Sequence, residues 1–289
     1  MTVLEVIQKS TEFLAKKGIE SPRLQAELLL AHLLKMPRMH LYLNFDRRLS
    51  DAELSALREM VKRRAQREPL QYITGSANFC GLELVVNRHV LIPRPETELL
   101  AQKGWEFLLN CGVEQPKALD FGTGSGCIAI ALAVHCQRAE VWAIDCSEAA
   151  LGVAKLNAER HGVLDRIRFV ASDGFDALPA ELRLDLIISN PPYIPSSQIE
   201  RLQPEVRDYE PRQALDGGHD GLDYFRKLAA GAAPLLKPGG VLMVELGDGA
   251  ADATRAVFEQ RGWIVAGIEC DYNGKARILI ARPGNAVQA

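Results

Sequence analysis

The chain has 289 residues, of which 47% are hydrophobic and 25% charged, so it is long enough to bury a core in each of two domains. The formal net charge is −3, which excludes an overall basic character of the kind that tight nucleic-acid binding needs, although a local basic patch remains compatible with it. The N-terminus has no basic segment followed by an apolar run, and no run of about 18 apolar residues occurs, so a cytoplasmic protein without a membrane span is expected.

The cysteine and histidine residues show none of the usual patterns of a metal site. The chain has six of each, without a Cys-x-x-Cys pair, a histidine in zinc spacing or a His-Glu-x-x-His motif. Reduced structural thiols and no bound metal are therefore predicted.

Residues 1–67 carry only helical patterns. Apolar residues recur at helical spacing from Val3 onward, Ser21-Pro22 offers an N-cap with a first-turn proline, and Ser50–Glu53 matches a capping box. A small all-α domain is predicted. The basic run Lys62–Arg67 near its end is interpreted as a solvated helix face, with a partner-binding patch as the alternative.

Residues 68–92 follow a different pattern. Apolar residues such as Phe79 and Leu84 lie between turn signals that include Gly75 and Gly81. A strand pair or β-hairpin that links two domains is predicted here.

The remainder, residues 93–289, alternates strand-like and helix-like segments. Strands are predicted over residues 118–121, 140–144, 166–170, 184–189, 241–246, 263–268 and 276–281, and helices over residues 128–134 and 149–160. This alternation predicts a parallel sheet covered by helices on both faces. The last two strands are joined by Asp271-Tyr272-Asn273-Gly274, so the final pair is predicted to be an antiparallel hairpin.

A glycine-rich segment, Leu119–Gly126, joins the first strand of this sheet to a helix. Its glycines permit close approach of the backbone to a ligand, but the third glycine comes one residue early for a dinucleotide fingerprint. Asp145 ends the next strand, where a carboxylate can accept both ribose hydroxyls of a nucleoside, and Asp120 adds a carboxylate suited to an ammonium group. The pattern favours an adenosyl ligand over a pyrophosphate, with an ordinary tight turn as the alternative.

The tetrapeptide Asn190-Pro191-Pro192-Tyr193 follows the strongly apolar run of residues 184–189. Its prolines remove two backbone N–H groups and stiffen the turn, which leaves the Asn190 amide and nearby carbonyl oxygens as polar partners. Such a turn can orient a planar NH2 group. A rigid loop without catalytic function is the alternative.

These segments are similar to those of the S-adenosylmethionine-dependent methyltransferases that act on exocyclic or amide nitrogen. More closely, the chain resembles the HemK-type (PrmC-type) glutamine N5-methyltransferases of peptide chain release factors, and the likeness covers nearly the whole chain. The further segments that carry it are Gln71–Gly75, Val90–Glu98, Tyr209–Pro211 with Ala214-Leu215, and Asp271–Arg277.

The resemblance implies which residues bind each ligand. Those implied to bind S-adenosylmethionine are Gly122, Thr123, Gly124, Ser125, Gly126, Asp145, Asp173, Gly174 and Asn190. Those implied to bind the substrate amide are Asn190, Pro191, Pro192 and Tyr193, with catalytic roles for Asn190, Pro191 and Tyr193. Some relatives carry a large aromatic residue at the position of Gly174, so Phe175 or backbone atoms are expected to contact the adenine in this chain.

The resemblance also implies the fold, the reaction and the partner. The fold would be an α/β, Rossmann-like sheet of seven strands with a terminal antiparallel hairpin, preceded by the helical domain and the hairpin linker. The reaction would transfer a methyl group from S-adenosylmethionine to the side-chain nitrogen of the glutamine in the Gly-Gly-Gln motif of release factors, leaving S-adenosylhomocysteine. The helical domain of residues 1–67 would dock the release factor, and a monomer without a stable nucleic-acid partner is expected.

The sequence leaves two alternative roles open for each of two parts of the chain. Arg94 and Glu96 are placed between the domains, where they would either close over the substrate or form an interdomain ion pair. Residues 194–220 are either a mobile segment that faces the substrate or a solvent-exposed crossover.

Two other functions remain as alternatives. An N6-adenine or N2-guanine nucleic-acid methyltransferase would use the same tetrapeptide to hold a flipped base, with Tyr193 stacked on it. A noncatalytic nucleoside-binding or translation-factor-docking protein would keep the glycine loop without needing Asn190.

Overall fold

The computed structural model describes residues 1–284, which form two compact units. The first unit consists of Met1–Ser76 together with Gln203–Tyr209, and the second of Ala77–Leu202 and the chain from Glu210 onward. A short segment from the second half of the chain therefore folds with the N-terminal helices.

Helices and strands are labelled here in chain order over the described residues. The helices are α1 Val3–Lys16, α2 Pro22–Leu33, α3 Arg38–Tyr42, α4 Asp51–Ala65, α5 Leu70–Thr74, α6 Pro95–Asn110, α7 Cys127–His135, α8 Glu148–Arg160, α9 Pro204–Arg207, α10 Asp223–Gly231 and α11 Ala251–Glu259. The strands are β1 Ser76–Phe79, β2 Leu82–Val85, β3 Lys117–Phe121, β4 Glu140–Asp145, β5 Ile167–Ala171, β6 Leu184–Ser189, β7 Leu236–Glu245, β8 Trp263–Cys270 and β9 Ala276–Pro283.

Local sequence determines where the first helices begin. Helix α4 starts with the predicted capping box, in which the Ser50 side chain accepts from the Glu53 N–H and the Glu53 carboxylate accepts from the Ser50 N–H. Helix α1 has the same arrangement between Thr2 and Glu5. Ser21 differs from the prediction, because its backbone is left-handed with φ of 48° and its side chain makes no capping hydrogen bond.

The basic run at the end of α4 is only partly a solvated face. Lys62 and Arg63 form exposed ion pairs, as that interpretation predicts. Arg64 is buried, and its Nη2 lies 2.9 Å from Glu205 Oε1 of α9, while Arg67 Nη2 lies 2.8 Å from the other oxygen of the same carboxylate. The solvated-face interpretation is therefore wrong for Arg64, which anchors the Gln203–Tyr209 segment within the first unit.

The predicted hairpin is present, but it is shorter than residues 68–92. Strands β1 and β2 pair with each other as a two-stranded sheet. The residues before them, Leu70–Thr74, form helix α5, which ends at Gly75 in the left-handed conformation. A helix of five residues is too short to display a helical period in the sequence.

Strands β3 to β9 form one seven-stranded sheet in the order β5-β4-β3-β6-β7-β9-β8. The pairs β3 with β4, β3 with β6, β4 with β5, and β6 with β7 are parallel. Strand β9 runs antiparallel to both β7 and β8. The predicted Rossmann-like sheet with a terminal antiparallel hairpin is confirmed.

Alternating residues along the central strands face opposite sides of the sheet. Ala118 and Leu186 pack with helices α6 and α7 in one core cluster. Leu119 and Ile187 pack with helices α10 and α11 in another. Each fully buried leucine or isoleucine contributes roughly 1.5–3 kcal/mol, so both helical layers are held firmly on the sheet.

The strand order reverses direction at β3, because β4 and β5 lie on one side of it and β6 lies on the other. Ligands of open α/β sheets bind at such a point, beyond the carboxyl ends of the strands. The topology therefore places a binding site after β3, β4 and β6. Within residues 1–284, no helix is both long and apolar enough to cross a membrane.

Candidate active site

Two neighbouring cavities lie at the carboxyl edge of the parallel strands. The larger, named the main cavity here, has a volume of about 280 Å³ and is lined by Gly122 after β3, Asp145 at the end of β4, Asp173 after β5 and Asn190 after β6. The smaller cavity, of about 40 Å³, also includes Gly122 and Asn190 and extends to Thr97. Four strand ends that are far apart in sequence thus contribute to one site.

The turn after β3 presents backbone to the main cavity. Gly122 has φ of 75° and Gly124 has φ of 54°, in the left-handed region that favours glycine. A methyl group added at either position would meet no atom within 4 Å, so the space beside the main chain is open. The N–H groups of Gly122 and Thr123 both donate to the Ile144 carbonyl at 2.9 Å, which ties the turn to β4.

The other residues predicted in this loop have different environments. Thr123 and Ser125 are buried and line the smaller cavity. The Ser125 carbonyl accepts a hydrogen bond of 2.9 Å from the buried side chain of Asn157 on α8. Gly126 is the N-cap of α7 with φ of 81° and is not among the described residues that line either cavity.

Asp145 is tied to the glycine loop by its carboxylate. Its Oδ2 accepts from the Gly124 N–H and its Oδ1 from the Ser147 N–H, each at 2.9 Å. Burial raises the pKa of Asp145, and the backbone donors oppose this rise. Each oxygen keeps accepting capacity for a further donor, such as a hydroxyl group in the main cavity.

Asp120 stabilises the loop from within the protein. Its Oδ2 accepts from the Thr123 hydroxyl at 2.6 Å and from the Ala129 N–H at 3.1 Å. Its Oδ1 is buried and has no hydrogen-bond partner among residues 1–284. Burial raises the pKa of Asp120 to about 7. A carboxylate at this position disfavours a phosphate in the loop.

The residues after β5 differ in how they face the main cavity. Asp173 lines it and forms an ion pair of 2.9 Å with Lys227. Gly174 offers only backbone, and Phe175 packs against the Phe121 ring at a centroid distance of 5.1 Å. Neither Gly174 nor Phe175 is among the described residues that line the main cavity.

Tyr224 on α10 gives the main cavity an aromatic wall at this end. Lys227 Nζ lies 5.3 Å from the centre of its ring and donates to the Asp173 carbonyl at 2.6 Å. Burial raises the pKa of the Tyr224 hydroxyl, and the neighbouring acidic groups raise it further. Tyr224 is therefore an aromatic side chain that could contact a planar ligand in the main cavity, which Phe121 also lines.

The residues of the Asn190–Tyr193 turn face different surroundings. Asn190 and Pro192 line the main cavity, whereas Pro191 is buried and Tyr193 is half-buried. Tyr193 is not among the described lining residues, and a methyl group added at Gly247 would come within 2.8 Å of its ring. The ring thus packs against the chain after β7, and its role as a wall of the substrate site stays a prediction.

A buried chain of hydrogen bonds connects Asn190 to β7. Asn190 Nδ2 lies 3.0 Å from Thr97 Oγ1, and Thr97 Oγ1 lies 2.7 Å from Glu245 Oε2. The Tyr193 hydroxyl donates to the other oxygen of Glu245 at 3.4 Å. Burial raises the pKa of Glu245 to about 7. The tetrapeptide is therefore held by α6 and β7, and no sequence pattern predicts this connection.

Arg94 has a partner in the segment between β6 and α10. Its Nη2 lies 2.6 Å from Glu210 Oε2, and both residues belong to the second unit, so this is not an interdomain pair. Burial raises the pKa of Glu210, while Arg94 opposes the rise. Three residues that follow Glu210 in the chain line the main cavity, namely Pro211, Gln213 and Ala214. Part of the segment of residues 194–220 thus borders the site.

Sequence patterns missed three residues that shape the site. Thr97 belongs to the segment highlighted at Val90–Glu98, but nothing in the sequence connects it to Asn190. Glu245 carried a usable signal, because a carboxylate at the end of an apolar strand is costly to bury unless it has a partner. Tyr224 lies in an ordinary amphipathic helix and carried none. No group of three or more metal-ligating side chains is present in the described part of the chain.

Two family models match the chain. Residues 5–75 match the PrmC N-terminal domain, and residues 101–203 match the methyltransferase small domain. Among solved structures, a methyltransferase from Pyrococcus furiosus is 21% identical with a TM-score of 0.52, covering 77% of this chain and 98% of the other. That likeness supports the methyltransferase fold.

Curated relatives are similar over most of their length and most of this chain. A release factor glutamine methyltransferase from Geobacter sulfurreducens is 46% identical over 98% of this chain and 97% of its own length. A protein of the same name from Chlorobaculum tepidum is 47% identical over 87% of each chain. The chain therefore belongs to the release factor glutamine methyltransferases.

Proposed function

We propose that this protein transfers a methyl group from S-adenosylmethionine to the side-chain nitrogen of the glutamine in the Gly-Gly-Gln motif of peptide chain release factors. The observation that carries the proposal is the Asn190 amide, which Thr97 anchors where both cavities meet. Family membership supports the acceptor class. We further propose that the protein acts as a monomer in the cytoplasm, where release factors work.

The residues of the main cavity fit S-adenosylmethionine. Open space beside Gly122 and Gly124 admits a ligand against the main chain, and Asp145 offers a carboxylate to ribose hydroxyls. Asp173 and Tyr224 would flank the adenine. Asp120 is buried behind the loop, and in its ionised form its negative charge would favour a cationic ligand.

The acceptor nitrogen is a poor nucleophile, because amide resonance delocalises its lone pair. Bound S-adenosylmethionine supplies an electrophilic methyl group on a positively charged sulfur. Asn190 Oδ1 and the Pro191 carbonyl oxygen would each accept a hydrogen bond from one N–H group of the glutamine amide. These two hydrogen bonds would fix the direction of the nitrogen lone pair. The same two oxygens stabilise the positive charge that develops on nitrogen. Once alkylated, the nitrogen is strongly acidic, so no dedicated general base is needed.

Labelled S-adenosylmethionine and an intact release factor provide the test. The wild-type protein should label the Gly-Gly-Gln glutamine, and a release factor with that glutamine replaced should take up no label. Asn190→Ala should lower kcat by about 10²-fold or more, because orientation of the acceptor amide is lost. Labelling of RNA or DNA in place of the release factor would contradict the proposal, as would near-normal turnover by Asn190→Ala.

A further inference from the structure

The side-chain amide of Asn190 can assist the proposed reaction in only one of its two orientations. An asparagine amide has an acceptor oxygen on one side and an NH2 donor on the other, and a half-turn exchanges them in nearly the same volume. The proposed substrate contact requires the oxygen to face the glutamine NH2. A structural feature must therefore favour that orientation.

Thr97 and Glu245 provide this feature through their hydrogen-bonding capacities. Both side chains are almost fully buried, and the Thr97 hydroxyl lies 2.7 Å from Glu245 Oε2. An ionised carboxylate can only accept, so the single hydroxyl proton of Thr97 is used on Glu245. Thr97 Oγ1 can then only accept from Asn190, and only the NH2 side of the amide can face it at 3.0 Å.

We propose that Thr97 and Glu245 are positioning residues that hold the Asn190 amide with its oxygen toward the acceptor glutamine. This inference rests on the proposed function, and neither residue needs to touch the substrate. The hydrogen bond to Thr97 Oγ1 fixes which side of the Asn190 amide faces Thr97. The hydrogen bond to Glu245 fixes where the Thr97 hydroxyl proton points.

Protonation of Glu245 would reverse the donor and acceptor in both hydrogen bonds of Thr97. A neutral carboxyl can donate to Thr97 Oγ1, which frees the hydroxyl proton to bond Asn190 Oδ1 and turns the NH2 toward the substrate. Burial raises the pKa of Glu245 to about 7 and Glu96 raises it further, while the Thr97 hydroxyl, the Tyr193 hydroxyl and Arg277 oppose the rise. The transfer rate should therefore rise as pH increases through about 7.

Variants at Thr97 separate orientation from packing. Thr97→Val keeps the shape but removes the hydroxyl, and it should lower kcat by about 10- to 100-fold while KM and the Kd of S-adenosylmethionine change less than about threefold. Thr97→Ser restores the hydroxyl and should stay within about threefold of wild type. The matched control is Thr254→Val, because Thr254 is also fully buried but its hydroxyl has no hydrogen-bond partner among residues 1–284.

Two further measurements test the mechanism. At saturating S-adenosylmethionine, Glu245→Gln should flatten the rise of kcat with pH, because glutamine does not titrate. By NMR, the Asn190 NH2 resonances, assigned by their loss in Asn190→Ala, should exchange slowly with water in wild type and faster in Thr97→Val. This second readout needs no activity, so it still tests the inference if the wild-type protein labels no release factor.

The outcomes are distinct. A kcat for Thr97→Val within about threefold of wild type would overturn the proposal. So would an equal loss in Thr97→Ser, which would indicate packing, or unchanged NH2 exchange in Thr97→Val. Absence of label on the release factor with the wild-type protein would instead contradict the proposed function.

Discussion

Tyr224 supplies the main cavity with an aromatic surface that Gly174 cannot provide. If the adenine of the cofactor packs on this ring, Tyr224→Ala should weaken S-adenosylmethionine binding by about 1–3 kcal/mol, the usual range for stacking of a base on an aromatic side chain. Tyr224→Phe keeps the ring and should bind nearly as wild type. Titration calorimetry measures both. Tyr272→Ala is the control, because Tyr272 is 94% exposed and does not line the cavity within the described residues.

Asp145 could be predicted as a site residue from the sequence, whereas Tyr224 could not. Asp145 was predictable because its distance from the glycine loop follows from one strand–helix–strand unit. Tyr224 lies on α10, and its approach to the cavity depends on how that helix packs against the sheet. The same holds for Thr97, whose partner Asn190 is 93 residues away along the chain. Hydrogen bonds between distant segments leave no local pattern.

Two glycines show how the α7 and α8 helices depend on backbone conformation. Gly126 caps α7 with φ of 81°, and an added methyl group would lie 3.1 Å from Ala154 Cβ. Gly126→Ala should therefore lower the free energy of unfolding by at least about 1–2 kcal/mol.

Gly152 is exposed within α8, and an added methyl group there would meet no atom within 4 Å. Gly152→Ala should raise the same quantity by about 0.5–1 kcal/mol. Urea unfolding measures both, and equal effects would contradict this account.

Elements with a strong period or a defined turn were predictable. The central strands are apolar runs buried on both faces, and the Asp271–Gly274 turn identified the antiparallel pair β8 and β9. Helix α5 was missed because five residues cannot show a helical period. Strand β7 begins at Leu236, earlier than predicted, because Pro238 and two glycines hide its first half.

At the scale of the whole molecule, membership of a unit does not follow chain order. Residues 203–209 belong to the first unit because Glu205 binds Arg64 and Arg67 there. The predicted boundaries at residues 67 and 92 were drawn from changes in the local hydrophobic and turn pattern, which cannot reveal such a return of the chain. Arg64→Met should destabilise the first unit by about 1–3 kcal/mol. This cost is smaller than that of leaving the Glu205 carboxylate without any partner, because Arg67 still pairs with it. Hydrogen exchange of α4 amides measures this, with Lys62→Met as the exposed control.

Buried carboxyl groups should also give the protein a characteristic pH dependence of stability. Burial raises the pKa of Asp120 and of Glu245 to about 7, from ordinary values of 3.8 and 4.5. Between about 4 and 7 the folded state therefore binds protons that the unfolded state releases, so the free energy of unfolding falls as pH rises through this window. The raised pKa values of Asp145 and Glu210 act in the same direction.

Urea unfolding between pH 5 and pH 8 tests this dependence. The double variant Asp120→Asn with Glu245→Gln should show a flatter fall of the unfolding free energy than the wild-type protein, because neither replacement titrates. Asp220→Asn is the matched control. Arg226 lowers the pKa of Asp220 to about 2, so its contribution to stability is lost only below about pH 4 and the slope above pH 5 should not change. An unaltered slope in the double variant would mean that both carboxyl groups are already ionised in the folded protein at pH 5.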